Sequence, residues 1–234
     1  MTLHGMAFLP IWHDITEGHE DEFNEWHNVE HIPERVLTPG IAVGRRYVED
    51  EGQPFKYFTL YEADSIDVFE SDGYFVTGNA RTEWTKKVHV YFENFVRSPC
   101  RTIMTRGTGI GGILATVRIR FTEPGSNQHS PGDAFGLAIR DIVDDLFAEK
   151  FVTGVHVGAK ANIQRKPLSQ ESLSLRPGAV DFDAVLMIES ISRAHMVWTS
   201  VDNEDYFDLR LKREETVIAS SVSGIYTLQF MKYA

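Results

Sequence analysis

Cysteine is almost missing from this chain. Cys100 is the only one in 234 residues, so no intrachain disulfide framework can form and a four-cysteine metal cluster is excluded. A reducing compartment suits such a sequence, and the cytoplasm is the expected location. Long apolar runs are missing too. No window approaches the roughly 20 apolar residues of a membrane span, and residues 1–10 lack the basic stretch and apolar core of a secretory signal. Positive charge is in deficit, with 23 Lys and Arg against 34 Asp and Glu and a formal net charge of -11. Such a surface repels nucleic-acid backbones and anionic membranes, so the expected partner is a small neutral or cationic molecule, or one held in a shielded site. No G-x-S-x-G elbow occurs, and the glycine-rich stretch Gly107-Thr108-Gly109-Ile110-Gly111-Gly112 lacks the Lys-Ser/Thr pair of a phosphate cradle.

What is present is enough apolar material, 42% of the chain, for one large domain or two small ones sharing an interface. Residues 6–15 read as a strand carrying Pro10 at an edge or bulge. Residues 20–37 place Phe23, Trp26, Ile32 and Val36 at helical spacing, with Pro33 expected to end or kink the helix. After the Pro39-Gly40 turn, residues 41–48 and 55–63 read as a hairpin, followed by a short helix near 65–74 and by a helix end plus a strand within 85–104. The second half offers the same order: a strand at 112–119, an amphipathic helix at 134–151, strands at 153–158 and 182–189, a helix near 193–201 and a last strand near 224–232. Gly40 and Gly154 are related by an offset of 114 positions, and Glu62 and Glu189 by 127. The expected fold class is α+β, with two ferredoxin-like βαββαβ halves packing their antiparallel sheets within one chain. The halves are expected at 1–106 and 107–234, with 107–112 as a flexible link, 121–133 as a linker and 162–180 as a polar, mobile hairpin loop. Coincidental offsets in an ordinary α+β fold are the alternative.

The densest ionisable group is Trp26-His27-Asn28-Val29-Glu30-His31-Ile32-Pro33-Glu34-Arg35. On a helix, His27, Glu30, His31 and Glu34 share one stripe, which puts two imidazoles beside two carboxylates. A carboxylate that orients an imidazole makes a general acid or base; the bland reading is a solvated helix face. The spelling His27-x-x-Glu30-His31 also matches the inverted zinc-protease pattern, although Pro33 threatens the helix and no third ligand is identifiable. Around this stripe, Trp26 argues for burial. His13 shares a strand face with Leu9 and Ile11, as expected of a satisfied core histidine. Tyr57 and Tyr61 share a face of the third strand and suit an aromatic wall. Arg46 suits a carboxylate or enolate, with Arg45 pointing the other way, and Trp12 adds apolar bulk. His89 and His156 are isolated in the sequence and carry no expected role.

The stretch Glu30-His31-Ile32-Pro33-Glu34-Arg35 after a Trp-bearing helix, followed by Pro39-Gly40-Ile41 and Gly44-Arg45-Arg46-Tyr47, resembles the EthD-like branch of the dimeric α/β-barrel superfamily. The resemblance is best over residues 14–64, while the second half is similar only in its element order. It implies a ligand between the sheet and its helices and makes His31 the leading group for proton transfer. Asp145 stands at the equivalent place in the second half, so one site per chain is expected. The superfamily includes cofactor-free monooxygenases, isomerases, cyclases, dehydratases and haem enzymes. The leading expectation is a cofactor-independent acid/base enzyme acting on a small aromatic or polyketide-like carbonyl compound. His31 serves as acid or base, Glu30 or Glu34 orients it, His27 supports it, and Arg46 or a tyrosine steadies negative charge. The alternatives are a haem-binding or cofactor-free monooxygenase, a divalent-metal enzyme using His27 and His31, and a non-catalytic binder. Exposed strand edges leave a homodimer open.

Overall fold

The computed structural model describes residues 3–49, 55–79, 82–121, 134–163, 182–196 and 218–234. Two compact units divide it, one built mainly on His4–Pro99 and the other mainly on Cys100–Asn162. The division therefore falls seven residues before the expected 106/107 boundary.

In the amino-terminal unit, β1 (Ala7–Ile15), β2 (Ile41–Val48) and β3 (Tyr57–Ala63) are rich in the β-branched and aromatic residues that fit a packed, pleated surface. β3 pairs antiparallel with both β1 and β2, and all seven of its residues are buried. β4 (Phe92–Arg97) flanks β1, giving the order β4-β1-β3-β2. Pro10 lies just past the part of β1 that β4 covers, which suits a residue with no N–H to donate.

The pairing fixes which side chains share a face. Leu9 faces Tyr61 and then Gly44; Ile11 faces Thr59 and then Arg46; His13 faces Tyr57. Because side chains alternate along a strand, these residues form one face, and Trp12, Phe58, Tyr47, Arg45 and Glu62 form the other. On that second face Trp12 packs on Phe58 at 5.1 Å, and Arg45 forms a fully buried ion pair with Glu62.

The first face is covered by the expected helix, which takes a different form. It runs as α1 (Glu20–Trp26), a π turn over His27–His31, and α2 (Ile32–Val36). The Ile32 N–H closes the wide turn on the His27 carbonyl. Pro33 follows as an early residue of α2. The proline therefore does not end the helical run, and the π turn stands immediately ahead of it. Gly44 lies under this segment: a Cβ there would come within 3.0 Å of both Ile32 and Tyr61. After β3 come a 3-10 turn (Ile66–Glu70) and α3 (Asp72–Asn79) in place of the one short helix expected near 65–74, and then α4 (Glu83–His89) where a helix end was expected within 85–104. Thr82 caps α4 by accepting from the Thr85 N–H at 2.9 Å.

The second unit has strand order β9-β6-β8-β7-β5, from β5 (Cys100–Gly107), β6 (Ile113–Phe121), β7 (Val152–Lys160), β8 (Ala184–Ser190) and β9 (Ile218–Tyr233), every pairing antiparallel. α5 (Ala134–Ala148) lays Phe135, Ile139, Ile142, Val143 and Leu146 against Val117, Val155, Val157, Leu186 and Ile188. It stops short of Phe151, which turns the chain with φ 72°. β5 is a separate strand where the sequence suggested the continuation of β4. The linker at 122–133 and the hairpin loop from 164 onward lie outside the described residues. So does most of the helix expected near 193–201, of which Arg193–His195 is a 3-10 turn. The α+β class with two ferredoxin-like halves is the one the chain adopts.

Candidate functional site

The π turn decides how the ionisable stripe is displayed. An α-helix brings i and i+4 together, whereas the wider turn also brings i+5 into register. His31 accordingly stacks on Trp26, five residues earlier, at 4.5 Å and 25°, and on His27 at 5.4 Å and 20°. His27 stacks in turn on Phe23 at 4.9 Å and presents its edge to His13 at 6.4 Å. His13 lies flat on Tyr57 at 5.4 Å and touches Phe92 at 4.7 Å. His31, His27 and His13 thus form a ladder with Trp26, Phe23 and Tyr57 between the helical segment and the sheet.

All three imidazoles are held neutral. Burial pushes His13 down to about 3, and Arg46 works in the same direction against the Asp14 carbonyl. Burial, then Arg46 and His13, hold His27 well below the usual histidine range. For His31 the causes are burial, then Arg35, His27, His89 and Arg97. His31 is half-buried, and among the described residues no hydrogen-bond partner meets its ring.

The two carboxylates take other positions. Glu30 Oε1 accepts from Trp26 Nε1 at 3.1 Å, Thr82 Oγ1 at 2.6 Å and Thr85 Oγ1 at 2.8 Å. It locks the π turn to α4 and does not reach His31. Glu34 is half-buried, and its carboxyl is raised by that burial and by the charge of Glu30. The expected pairing of an imidazole with an orienting carboxylate is therefore not what the helix displays. The stacking also separates the two-histidine metal reading from the geometry, since parallel rings aim their lone pairs along parallel planes and not at one ion. Among the described residues no group of three or more His, Cys, Asp or Glu is disposed to hold a metal.

Arg46, Tyr57, Tyr61 and His13 are brought together on the helix-covered face by the register of β1, β2 and β3. Trp12 is on the opposite face and is separated from them. Arg46 donates to Asn28 Oδ1 at 3.1 Å and to Asn24 Oδ1, and its guanidinium lies over Phe23 and Tyr57 at 5.2 and 5.4 Å. Burial pushes the Tyr61 phenol up, so it stays protonated. Among the described residues, several buried polar atoms of this unit meet no partner: His27 Nδ1, Arg46 Nε, Thr59 Oγ1, Tyr61 OH and Arg97 Nε.

Sequence reading missed Thr59, Asn24, Asn28, Arg97 and His89. Thr59 was findable, because it lies between Tyr57 and Tyr61 at the same period. Asn24 and Asn28 are one helical turn apart and precede the stripe. His89 looked isolated yet meets the Trp26 ring at 5.6 Å, and no local signal places it there. In the second unit His156, also given no role, bonds Thr105 Oγ1 through Nδ1 at 2.7 Å and lies 3.3 Å from Glu189.

No protein-family model matches the sequence, and no curated protein matches it. Solved structures do resemble the chain along nearly all its length. An anthrone oxidase-like protein aligns over 98% of this chain and 93% of its own, with 10% identity and a TM-score of 0.62. A candidate monooxygenase from Fusobacterium nucleatum subsp. nucleatum aligns over 99% and 96%, with 10% identity and a TM-score of 0.58. A haem-binding protein from Thermus thermophilus aligns over 97% and 92%, with 9% identity and a TM-score of 0.50. Likeness at such identities is likeness of fold, and the fold is of the dimeric α/β-barrel type.

Proposed function

We propose that the chain is a cofactor-independent oxygenase, of the EthD-like kind, acting on an aromatic compound with an acidic C–H beside a carbonyl. The observation that carries this is His31: a neutral imidazole, free of hydrogen bonds to the described residues, half-buried, and fixed by the Trp26 and His27 stack. A neutral imidazole at pH 7 is in its proton-accepting form. It takes the proton from the acidic carbon, and the electron pair left behind delocalises onto the carbonyl oxygen. The Tyr61 phenol, buried and without a hydrogen-bond partner among the described residues, donates to that oxygen. Arg35 and Arg97, which both act on His31 and Tyr61, add positive potential. The electron-rich carbanion reduces O2 and the two combine as a hydroperoxide. His31 returns its proton to the peroxide and then takes the second proton of the same carbon; that electron pair forms the C=O bond as the O–O bond breaks, and the departing hydroxide leaves with the proton as water, so a CH2 group and O2 become a C=O group and H2O. Water is kept from the reactive carbon by the rings of Phe23, Trp26, Tyr57 and Phe92.

Support from outside the chain is the fold shared with an anthrone oxidase-like protein and a candidate monooxygenase. The haem-binding relative of that fold prompts a separate test. Residues that ligate a metal through imidazole direct the other ring nitrogen to a carboxylate, a carbonyl or water. His31 has no such partner among the described residues, and Glu30, the neighbouring carboxylate, is committed to Trp26, Thr82 and Thr85. His13 and His27 are sealed at 1% and 3% exposure. The donor set does not fit haem.

The test is oxygen uptake with anthrone as probe, followed by recovery of anthraquinone, for wild type and His31→Gln. Uptake in the metal-free, haem-free protein, reduced about 100-fold or more in the variant, is expected for loss of a general base. Unchanged uptake in His31→Gln, or none in wild type, refutes the reading. Oxygen-independent turnover that needs His31 would instead favour plain acid/base chemistry, the leading expectation from sequence.

A further inference from the structure

Arg46 is buried, at 1% exposure, and no carboxylate lies against it among the described residues. Two uncharged asparagine oxygens and two aromatic faces are its surroundings. Burial pushes it down only to about 10, so it is fully charged at neutral pH. A sealed, unpaired cation costs several kcal/mol of lost hydration, and proteins keep one only where something else supplies the opposite charge.

The surroundings point to that something. Arg46 and Thr59 face each other directly across β2 and β3, and Thr59 faces Ile11, whose other neighbour is Arg97 on β4. Three of the four side chains in this row, with Ile11 between the second and third, therefore present donor atoms with no partner among the described residues: Arg46 Nε, Thr59 Oγ1 and Arg97 Nε, with Tyr61 OH one step along β3. Every group in the set can donate, and no acidic side chain shares the row. Rings of Phe23 and Tyr57 close over the guanidinium.

We infer that this row is an anion site and that the ligand of the site is an aromatic acid, whose carboxylate completes Arg46 and Thr59. This rests on the site proposed above, and deepens that reading by naming the substrate class. It also runs against the net charge of the chain, which by itself favours neutral or cationic ligands: a surface potential is screened over about 10 Å, whereas a buried guanidinium acts at contact.

Calorimetric titration of the wild type with 2-naphthoate and with its uncharged isostere 2-naphthamide tests the inference. A charge-assisted hydrogen bond predicts that the acid binds about 10-fold to 100-fold more tightly. In Arg46→Gln the preference for the acid should vanish, and in Thr59→Val it should fall, because the hydroxyl donates more strongly to a charged carboxylate than to an amide carbonyl. Equal affinity for the two probes, no binding of 2-naphthoate, or a preference that survives in Arg46→Gln overturns the inference. The wild-type comparison and Thr59→Val decide the matter even if Arg46→Gln fails to fold. Binding is read without turnover, so an acid preference in a protein that consumes no oxygen sinks the oxygenase reading alone, and oxygen uptake without an acid preference sinks this inference alone.

Discussion

Acid should unfold this protein in a way that can be traced to single rings, and His13 allows the size of the effect to be worked out. Its imidazole is sealed between Tyr57 and Phe92, and burial lowers it from an ordinary value near 6.5 to about 3. The unfolded chain takes up a proton at residue 13 as the pH falls through about 6.5, while the folded chain refuses it until about 3. The stability that neutrality confers is therefore present in full above the unfolded value and is lost on acidification. Each pH unit in that window removes about 1.4 kcal/mol, so His13 alone accounts for about 2 kcal/mol between neutrality and pH 5. By the folded value the loss is about 5 kcal/mol, a large part of a typical stability of about 5–15 kcal/mol. His27 and His31 shift in the same direction and add to it. Urea unfolding of wild type and of His13→Phe, at about pH 7.5 and about pH 5, isolates the contribution. Phe keeps the ring contacts and cannot take the proton, so wild type should lose about 2 kcal/mol more than the variant between the two conditions. Parallel losses in the two proteins would refute the claim that folding keeps His13 neutral.

Two further substitutions probe the frame around the site. Removing Arg45 leaves Glu62 charged and sealed, so Arg45→Ala should cost about 3–5 kcal/mol in urea unfolding, while a hydrophobic pair replacing both residues should cost much less. Glu30→Ala takes the shared acceptor from Trp26, Thr82 and Thr85 and should cost about 1–3 kcal/mol. It should also loosen the π turn, visible as faster amide exchange over residues 27–32, and unchanged exchange there would count against its locking role.

Much of the frame was readable from local pattern alone. The period of two paired His13 with Leu9 and Ile11 along β1, paired Tyr57 with Tyr61 along β3 and set Arg45 opposite Arg46 on β2, because the alternation of side chains is a property of the extended backbone; that these groups share one face came only from the register between strands. The same rule assigns Trp12 to the face opposite His13, and applying it strictly would have removed Trp12 from the site. Helical spacing and the residues around Pro33 located the helix and the stripe that carries His27 and His31. It did not disclose the π turn, whose i+5 register, not the i+4 of an ideal helix, sets His31 on Trp26.

Roles that depend on partners far along the chain were closed to the sequence. Glu30 looked like the companion of His31 because they are adjacent, but its partners Thr82 and Thr85 come from more than 50 residues away. The charge balance was read as a disfavour for anions, yet that sum cannot say that Arg46 is enclosed without a carboxylate. Hydrophobic periodicity is local and survives any packing of the elements, so the sequence by itself determined the strands, the main helices and the faces they bury. Which polar groups meet, and which are left with no partner for a ligand to supply, is set only when distant segments close over one another, and that the tertiary structure alone decided.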